Sequence, residues 1–464
     1  MIALLLCVIG ALAAFFIGRR SLWGGILAVM TVGYFYGIVR ANLPSTFSHF
    51  IFDAALCGLY ASVLFGKRKN QPTPNHASLN MWMYILMGWP LLMLLMPFQP
   101  LLVSLVGLRG NMFFLPAVFL GARLRKDDLR PLALGFAVLN LIALAFGVAE
   151  YFKGIEPFFP YGPLTVTIYN SVDSGGGSRI PAIFQSPHTY AGVMVFTVPV
   201  LFGAWSLSTG AGWRKMLALL GMAAAFMGVL LAATRQNMVM AGMLVVIASL
   251  SGKLGGLKRV VWAFAIAAVI WSAMHNERWQ RYKELDSQSV EDRISGSVNR
   301  SFFEVLMEHP MGNGLGGGGT SIPYFLASQV RDPIWVESEY GRILLEEGVV
   351  GLLLWIGFVV WFVTNRTAFT KDEWLIGRRM AWFLCLATFL TGAIGVGTLS
   401  TVPQTFLFLL CVGWISVRPE RATAVVPSRV APQAAMPVAT GFAPVGNPAR
   451  VRGALSISAA PPSE

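Results

Sequence analysis

The stretch PLALGFAVLNLIALAFGVA, residues 131–149, decides the fold, because it is long, apolar on all sides and free of charged side chains. A helix needs about 20 mostly apolar residues to cross a hydrocarbon core about 30 Å thick, so this run predicts a transmembrane helix. Strands of a membrane β-barrel are shorter and alternate in polarity. Working outward from this run gives thirteen candidate spans. They lie near 1–17, 22–39, 50–66, 81–97, 111–122, 131–149, 190–207, 216–233, 237–251, 260–274, 348–365, 380–397 and 401–417.

The run at 111–122 is the weakest of the thirteen, because it is only twelve residues long. The alternative is a span that begins at Leu101 and places Arg109 at membrane depth. With this one point left open, the pattern predicts an all-α, polytopic integral membrane protein of about 12–13 transmembrane helices with a large extracytoplasmic loop.

Composition excludes several other classes of protein. The 464 residues are 55% hydrophobic and 12% charged, whereas a soluble domain carries about 25% charged residues. An ordinary soluble enzyme, a nucleic-acid-binding module and a disordered scaffold are therefore excluded, despite a net charge of +13. The four cysteines lie inside apolar runs without a CxxC pair, and the five histidines form no HExxH motif. We expect no disulfide framework, no metal and no other cofactor.

Lysine and arginine are unevenly divided between alternate connections. One set of connections, with the C-terminal tail, holds 23 of the 35 basic residues and six acidic ones, and the other set holds twelve basic and sixteen acidic residues. Basic residues mark the cytoplasmic side of a membrane protein. The N-terminus is therefore predicted outside and the C-terminus inside. The excess charge is a signal of topology, so the expected partner is the lipid bilayer and no nucleic acid is required.

Two predicted outward loops are long, 150–189 and 275–347, and the second is expected to be partly helical and to roof a site. Loops beyond about 15 residues in a compact protein are usually functional or disordered. The bundle with its loops spans 1–417. Residues 418–464 are rich in Ala, Pro and Val and lack a helical period, so we expect a disordered cytoplasmic tail.

Three arginines stand out on the predicted outer side. Arg179 follows a run of glycines just before a span, Arg235 lies in a short polar turn between two spans, and Arg300 begins an amphipathic segment that ends at Pro310. A guanidinium offers a planar fork of donors that suits phosphate. The alternatives are ordinary: headgroup-level placement for Arg179, snorkelling for Arg235, and for Arg300 an ion pair with Glu304 one turn away.

Two further stretches of the second loop could carry chemistry. MGNGLGGGGT, residues 311–320, includes Gly314 and could present backbone N–H groups to an anion, but no Lys-Ser/Thr follows to make a Walker loop. WVESEYGRILLEEGVVG, residues 335–351, returns the chain to the membrane, and helical spacing puts Glu339, Arg342 and Glu346 on one face. Either these acids cap and solvate the helix, or a carboxylate such as Glu337 acts as a base.

The order of these features resembles the O-antigen ligase/O-antigen polymerase superfamily of bacterial envelope polysaccharide glycosyltransferases. The resemblance covers roughly residues 100–400 and is most specific at 300–316 and 337–351. It implies a metal-independent transferase of the bacterial inner (cytoplasmic) membrane. Such an enzyme takes a glycan from an undecaprenyl-diphosphate donor on the periplasmic side. The acceptor is another lipid-linked repeat for a polymerase, or lipid A core for a ligase, and envelope polysaccharide assembly proteins are possible partners.

The resemblance also implies roles for individual residues. It places the donor diphosphate on Arg179, Arg235 and Arg300, of which Arg300 is also a catalytic candidate. The supporting positions that match its motifs are Gly314, Glu346, Gly348 and Gly351. Apart from the resemblance, His188 and His309 are reserve bases, and the alternative that we prefer for each is an interfacial or turn residue.

The candidate base distinguishes the two branches of the superfamily. Ligases carry His-Asn about nine residues before the motif glutamate, and here the corresponding pair is Glu337-Ser338. This departure favours a polymerase over a ligase and makes Glu337, then Glu339, the candidate base.

Two other classes of function compete with a transferase. A transporter or flippase for a lipid-linked or anionic solute needs ionisable residues inside the spans. Asp53, near an outer end, is the acidic residue that the predicted spans contain, and the other outward charges gather in loops. A non-catalytic scaffold would not require the clustered charges of a 73-residue loop. The sequence therefore favours a transferase.

Overall fold

The apolar runs form α-helices in the computed structural model, which describes residues 1–66, 76–162, 164–166, 168–169, 179–208, 212–250, 302–318, 322–334, 336, 338–395 and 397–418. Fourteen α-helices and no strand occur in these ranges. The helices are α1 Ile2–Arg20, α2 Leu22–Asn42, α3 Ile51–Leu64, α4 Ala77–Met93, α5 Leu101–Met112, α6 Ala117–Ala122, α7 Lys126–Lys153, α8 Pro187–Leu207, α9 Trp213–Ala232, α10 Arg235–Leu250, α11 Phe302–Glu308, α12 Glu339–Thr364, α13 Leu375–Thr391 and α14 Gln404–Ser416. Short 3₁₀ helices occupy Thr46–Phe50, Tyr324–Gln329 and Arg366–Phe369.

Eight stretches within the described ranges are long and apolar enough to cross a membrane. Two shorter apolar helices, Arg235–Leu250 and Gln404–Ser416, accompany them. The predicted fold class is confirmed: the chain is an all-α, multi-pass membrane protein. The candidate span near 260–274, much of the loop 275–347, and the predicted tail beyond Arg418 lie outside the described residues.

The weak fifth span begins at Leu101, as the alternative prediction held, and the narrower range 111–122 was wrong. It is built from α5 and α6, with a break between Met112 and Ala117. Apolar counting missed its first half because Arg109 and Asn111 interrupt the run. Both polar side chains have partners inside the protein, Asp53 for Arg109 and Glu346 for Asn111.

Helix α8 lies at the centre of the bundle, where nearly every residue from Pro187 to Trp205 is buried. Helices α7, α9, α13 and α14 all pack against it. By contrast, α1 leaves Leu5, Leu12 and Phe16 exposed, as expected for a face turned to lipid. Close helix packing in a membrane relies on small residues. At the α6–α14 contact, a Cβ added to Gly121 would lie 2.0 Å from the Leu410 carbonyl oxygen.

The connections gather at two ends of the bundle. We call the end that carries 43–50, 94–100, 154–162, 179–186, 310–318, 322–334, 336, 338, 392–395 and 397–403 the loop end, and the end that carries 123–125, 365–374 and 417–418 the basic end. At the loop end, the Asn42 amide donates to the Phe158 carbonyl (2.8 Å). At the basic end, the Asn365 amide donates to the Ser416 carbonyl (3.3 Å). These contacts join connections that the charge pattern places on the same side of the membrane.

Candidate functional site

The re-entry helix α12 is kinked at Gly348, where φ is +71°. Residues of the glycine-rich segment supply the hydrogen bonds that the kink disrupts. The Asn313 N–H donates to the Leu345 carbonyl (2.6 Å), and the Val349 N–H donates to the Pro310 carbonyl (3.0 Å). A Cβ on Gly348 would lie 2.8 Å from the Met311 carbonyl carbon, so both the dihedral and the space require glycine here.

The glycine-rich segment lies between α12 and α5. A Cβ on Gly107 of α5 would be only 2.2 Å from the Gly316 backbone nitrogen, so the two backbones are in direct contact. Gly314 also has positive φ (+85°) and packs on Phe98. The Gln99 amide donates to the carbonyls of Asn313 (3.0 Å) and Arg331 (2.9 Å). The segment is therefore built into the bundle rather than extended over it.

The packing of this segment encloses an ion cluster on α12. Arg342, fully buried, donates to Glu339 Oε1 (2.7 Å) and to Glu346 Oε2 (2.8 Å). It also donates to the Asn111 amide oxygen (2.7 Å), and the Asn111 amide nitrogen donates to Glu346 (2.6 Å). The predicted shared face of Glu339, Arg342 and Glu346 is thus occupied by one connected network.

Glu339 is held at both carboxylate oxygens. Oε1 accepts from Arg342, and Oε2 accepts the Gly397 N–H at 2.7 Å. Its own backbone N–H donates to the carbonyls of Gly392 (2.8 Å) and Gly395 (3.1 Å). A carboxylate whose oxygens are both engaged in this way is fixed in position, so the geometry suits Glu339 to positioning the 392–397 connection. Glu337, the first candidate base, lies outside the described residues.

Two carboxylate oxygens of α12 lack hydrogen-bond partners within the described ranges, Oε1 of Glu346 and Oε1 of Glu347. Both residues are buried. Gly351 makes room for the Glu347 side chain, since a Cβ at Gly351 would lie 2.3 Å from the Glu347 Cβ. Buried polar groups are normally paired, so these two oxygens are unsatisfied acceptors inside the bundle.

Buried acids on helices correct one sequence expectation. The predicted spans contained few acids because their bounds stopped at charged residues. Helix α7 extends to Lys153 and α12 begins at Glu339. Glu150, Glu339 and the neighbouring pair Glu346 and Glu347 therefore lie on helices and are buried.

Two of the three predicted arginine stretches lie together. Ile180, next to Arg179, donates its N–H to the Leu231 carbonyl (3.3 Å), just before the junction after which Arg235 begins α10. The Gln236 amide donates to Thr391 Oγ1 (2.6 Å), one residue before the Gly392 that binds Glu339. Arg179 and Arg235 are both half-buried. Their segments thus connect, through the end of α13, to the ion cluster.

The remaining predicted site residues lie in the second loop. Arg300 falls outside the described residues. The amphipathic helix predicted after it is present as α11, Phe302–Glu308, and ends before Pro310. His309 follows it, half-buried, and its carbonyl accepts the Gly312 N–H (2.8 Å).

Sequence reasoning missed Arg40, at the end of α2. Its Nη1 lies 3.4 Å from Gln185 Oε1, its guanidinium lies 5.9 Å from the Tyr36 ring centroid, and its Nε has no hydrogen-bond partner in the described structure. Nearby, Arg109 forms a two-pronged ion pair with Asp53. Arg40 resembles any interfacial arginine in the sequence, because Gln185, the partner that places it at the loop end, is 145 residues away.

Metal ligation finds no support in the described ranges, where no group of three or more His, Cys, Asp or Glu side chains could hold an ion. No family model and no curated protein matches the chain. The resemblance to the O-antigen ligase and polymerase superfamily therefore stays a prediction.

Proposed function

We propose that the protein is a membrane glycosyltransferase that polymerises or transfers an undecaprenyl-diphosphate-linked glycan at the outer face of the bacterial inner membrane, with its loop end outward. The observation that carries the proposal is the chain of hydrogen bonds that links the Arg179 and Arg235 segments, through Thr391 and Gly392 at the end of α13, to Glu339 of the ion cluster. Anion-binding groups and buried carboxylates thereby share one end of a lipid-embedded bundle.

The proposed reaction needs little beyond these groups. The bond between the anomeric carbon and the donor phosphate oxygen breaks, and a bond from that carbon to the acceptor hydroxyl oxygen forms. Negative charge that develops on the departing diphosphate is stabilised by Arg179, Arg235 and Arg300. The acceptor proton passes to a carboxylate, for which Glu337 is our candidate. Glu339 then serves to position the 392–397 connection beside the reacting groups.

A polymerase fits better than a ligase, because Glu337-Ser338 stands where the ligase motif has His-Asn. The acceptor is then a second lipid-linked repeat, which would approach from the outer leaflet. Envelope polysaccharide assembly proteins are the partners that this function would require.

The decisive test is glycan analysis of a deletion strain complemented with single variants. We expect Arg179→Ala, Arg235→Ala and Arg300→Ala each to abolish long chains while the protein still accumulates in the membrane. The matched control is Arg331→Ala, another loop-end arginine, which contacts the Pro97 carbonyl (3.4 Å) and Gln99. Full chain length and amount in all three variants would overturn the proposal.

Separate experiments test the identity of the base and the choice between a polymerase and a ligase. Glu337→Gln keeps the shape and removes the proton acceptor, so we expect loss of elongation, with Glu308→Gln as the control. Unaltered elongation would exclude Glu337 as the base. In the deletion strain, single repeats attached to the acceptor indicate a missing polymerase, whereas unattached polymer on the lipid carrier indicates a missing ligase.

A carrier for a lipid-linked or anionic solute is the second candidate, and buried acids favour it. Glu150 and Glu347 are buried on helices with unpartnered oxygens, and α12 is broken at Gly348. Broken helices and intramembrane acids are typical of transporters. Translocation of a lipid-linked glycan in proteoliposomes, lost in Glu347→Gln and unaccompanied by glycan transfer, would favour this candidate over the transferase.

A further inference from the structure

Two sets of contacts fix how deep residues 302–318 lie in the bundle. On the α5 side, the Gln99 amide donates to the Asn313 carbonyl (3.0 Å), just before the span Leu101–Ala122 begins. Further along the same helix, Gly107 and Gly316 are in contact through their backbones. A helix rises about 1.5 Å per residue, so Gly107 lies about 9 Å inside the span. The chain is therefore level with the start of the span at Asn313 and lies well inside it at Gly316.

Helix α12 gives the same depth independently. From its kink at Gly348 to its end at Thr364, the helix covers about 24 Å, whereas the hydrocarbon core of a bilayer is about 30 Å thick. Measured from Thr364, a core of this thickness ends about four residues before Gly348, near Leu345. The Leu345 carbonyl accepts the Asn313 N–H (2.6 Å). Both helices therefore place Asn313 at the boundary of the core.

Helix α11, which precedes this boundary, has side chains of three kinds on three faces. Val305 is 1% exposed and belongs to the core, where α11 packs against α12. Phe303 and Met307 share a second face by their spacing of four, and they are 74% and 81% exposed. Glu304 and Glu308 share a third face and are exposed as well. One apolar and one charged exposed face are typical of a helix that lies along the interface between hydrocarbon and water.

The apolar face of α11 continues onto a membrane-spanning part of α12. The Met311 backbone packs on Gly348, and the Met311 side chain is exposed. Val350 and Leu353 follow on one side of α12, three residues apart, and both are exposed inside the depth of the core. We call these residues the apolar strip: Phe303, Met307, Met311, Val350 and Leu353. Because the strip includes the outer surface of a span, acyl chains are the surroundings that it fits.

We propose that residues 302–318 form a re-entrant element in the leaflet at the loop end, in which Phe303 and Met307 contact the acyl chains of bilayer lipid. Non-helical backbone is tolerated at membrane depth where protein buries it, and residues 314–318 after α11 are buried. The acids of α11 then face the headgroups and water. The segment is thus part of the membrane domain and does not roof it. The proposal does not depend on the transferase activity.

The test measures the surroundings of single spin labels on the full-length protein in lipid nanodiscs. Phe303→Cys and Met307→Cys carry the nitroxide on the apolar face, and Glu304→Cys and Glu308→Cys are the matched controls on the same helix. Leu12→Cys, on the lipid-facing side of α1, gives the reference for hydrocarbon. Electron paramagnetic resonance compares collisions of each label with oxygen, which concentrates in hydrocarbon, and with a nickel chelate, which stays in water.

Native cysteines require one further change. Cys57 is exposed and would take up the label, so every variant also carries Cys57→Ala. The other three cysteines are buried: Cys7, Cys385 and Cys411. The Cys57→Ala protein without an added cysteine gives the background signal.

We expect the labels at Phe303 and Met307 to collide preferentially with oxygen, as the label at Leu12 does. The labels at Glu304 and Glu308 should collide preferentially with the nickel chelate. The proposal is overturned if the Phe303 and Met307 labels meet the nickel chelate as often as the Glu308 label, because the face then lies in water. Few collisions with either reagent also overturn it, because another protein surface, such as a second copy of the chain, then covers the face.

Discussion

Two buried arginines, one at each end of the bundle, are held by opposite kinds of partner. Arg342, near the loop end, is fully buried and bound by the carboxylates of Glu339 and Glu346. Arg378, near the basic end, is 3% exposed and donates to backbone carbonyls, including those of Trp414 and Thr367. The charge of Arg342 is neutralised by adjacent carboxylates. The charge of Arg378 is stabilised by neutral carbonyl dipoles, which do not cancel it.

The difference teaches how each end depends on its arginine. Removing one member of a buried ion pair leaves a buried, uncompensated charge, which costs about 3–5 kcal/mol. Removing a cation from carbonyls leaves unsatisfied but neutral groups, which cost less. The loop end therefore depends on a specific set of charges, and the basic end depends on the geometry of hydrogen bonds.

The largest effect is expected for Arg342→Met, which would leave Glu339 and Glu346 buried without their cation. We expect the free energy of unfolding to fall by about 3–5 kcal/mol, measured as a drop in Tm in detergent and in membrane yield. Adding Glu339→Gln and Glu346→Gln should restore much of the loss, because the uncompensated charges are then gone. If the triple variant is no more stable than Arg342→Met, the carboxylates are not what Arg342 neutralises.

Arg378→Met is the matched change at the basic end. The hydrogen bonds from Arg378 to the backbone carbonyls are lost in this variant. We expect the free energy of unfolding to fall by a smaller amount, about 1.5–3 kcal/mol, in the same assay. Arg378→Lys should recover only part of it, because an ammonium cannot reproduce the guanidinium fork. A loss as large as that of Arg342→Met would contradict the contrast drawn between the two ends.

Gly348→Ala tests whether the ion cluster depends on the kink that presents it. The added Cβ would lie 2.8 Å from the Met311 carbonyl carbon at a φ of +71°. With ψ at −174°, this backbone conformation is essentially restricted to glycine, and another residue held in it costs about 1–3 kcal/mol, so we expect Tm to fall accordingly. The control is Gly242→Ala on α10, where an added Cβ meets nothing within 4 Å. Equal stability of the two variants would show that the kink is not required.

The helical fold was predictable because lipid imposes a single strong rule. Runs such as 131–149 are apolar on all sides, and an unpaired backbone cannot cross a membrane, so length and composition suffice. The fifth span shows where the rule fails. Arg109 and Asn111 break the apolar run, and only the distant partners Asp53 and Glu346 make their burial possible.

The candidate site was predictable only where neighbours in sequence are neighbours in space. Helical spacing placed Glu339, Arg342 and Glu346 on one face, and the structure joins them. The fourth member of the network, Asn111, is 231 residues from Arg342, and no local pattern relates the two. The position of the glycine-rich segment between α5 and α12 was missed for the same reason, because Gly107, which it contacts, is also distant in sequence.

Arg40 is a third arginine to compare with the buried Arg342 and Arg378, and it gives the smallest expected effect on stability. It is half-buried like Arg179, and its contacts are neutral ones, Gln185 and the Tyr36 ring. Removal of the Arg40 side chain leaves no unpaired buried charge behind. We therefore expect Arg40→Ala to change the free energy of unfolding by less than about 0.5 kcal/mol. If the loop end binds a diphosphate, an uncompensated guanidinium there contributes to binding. We then expect glycan elongation to fall about 100-fold, the scale for losing one preorganised donor.

Arg40→Lys and Arg331→Ala complete that experiment. The lysine variant keeps the charge and loses the planar fork, so its elongation should lie between those of the wild type and Arg40→Ala. The Arg331 variant removes a loop-end guanidinium that already contacts the Pro97 carbonyl, and we expect near-normal elongation. If Arg40→Ala lowers stability as much as Arg378→Met, Arg40 belongs with the structural arginines. If instead Arg40→Ala keeps both the stability and the elongation of the wild type, Arg40 does not contribute to diphosphate binding.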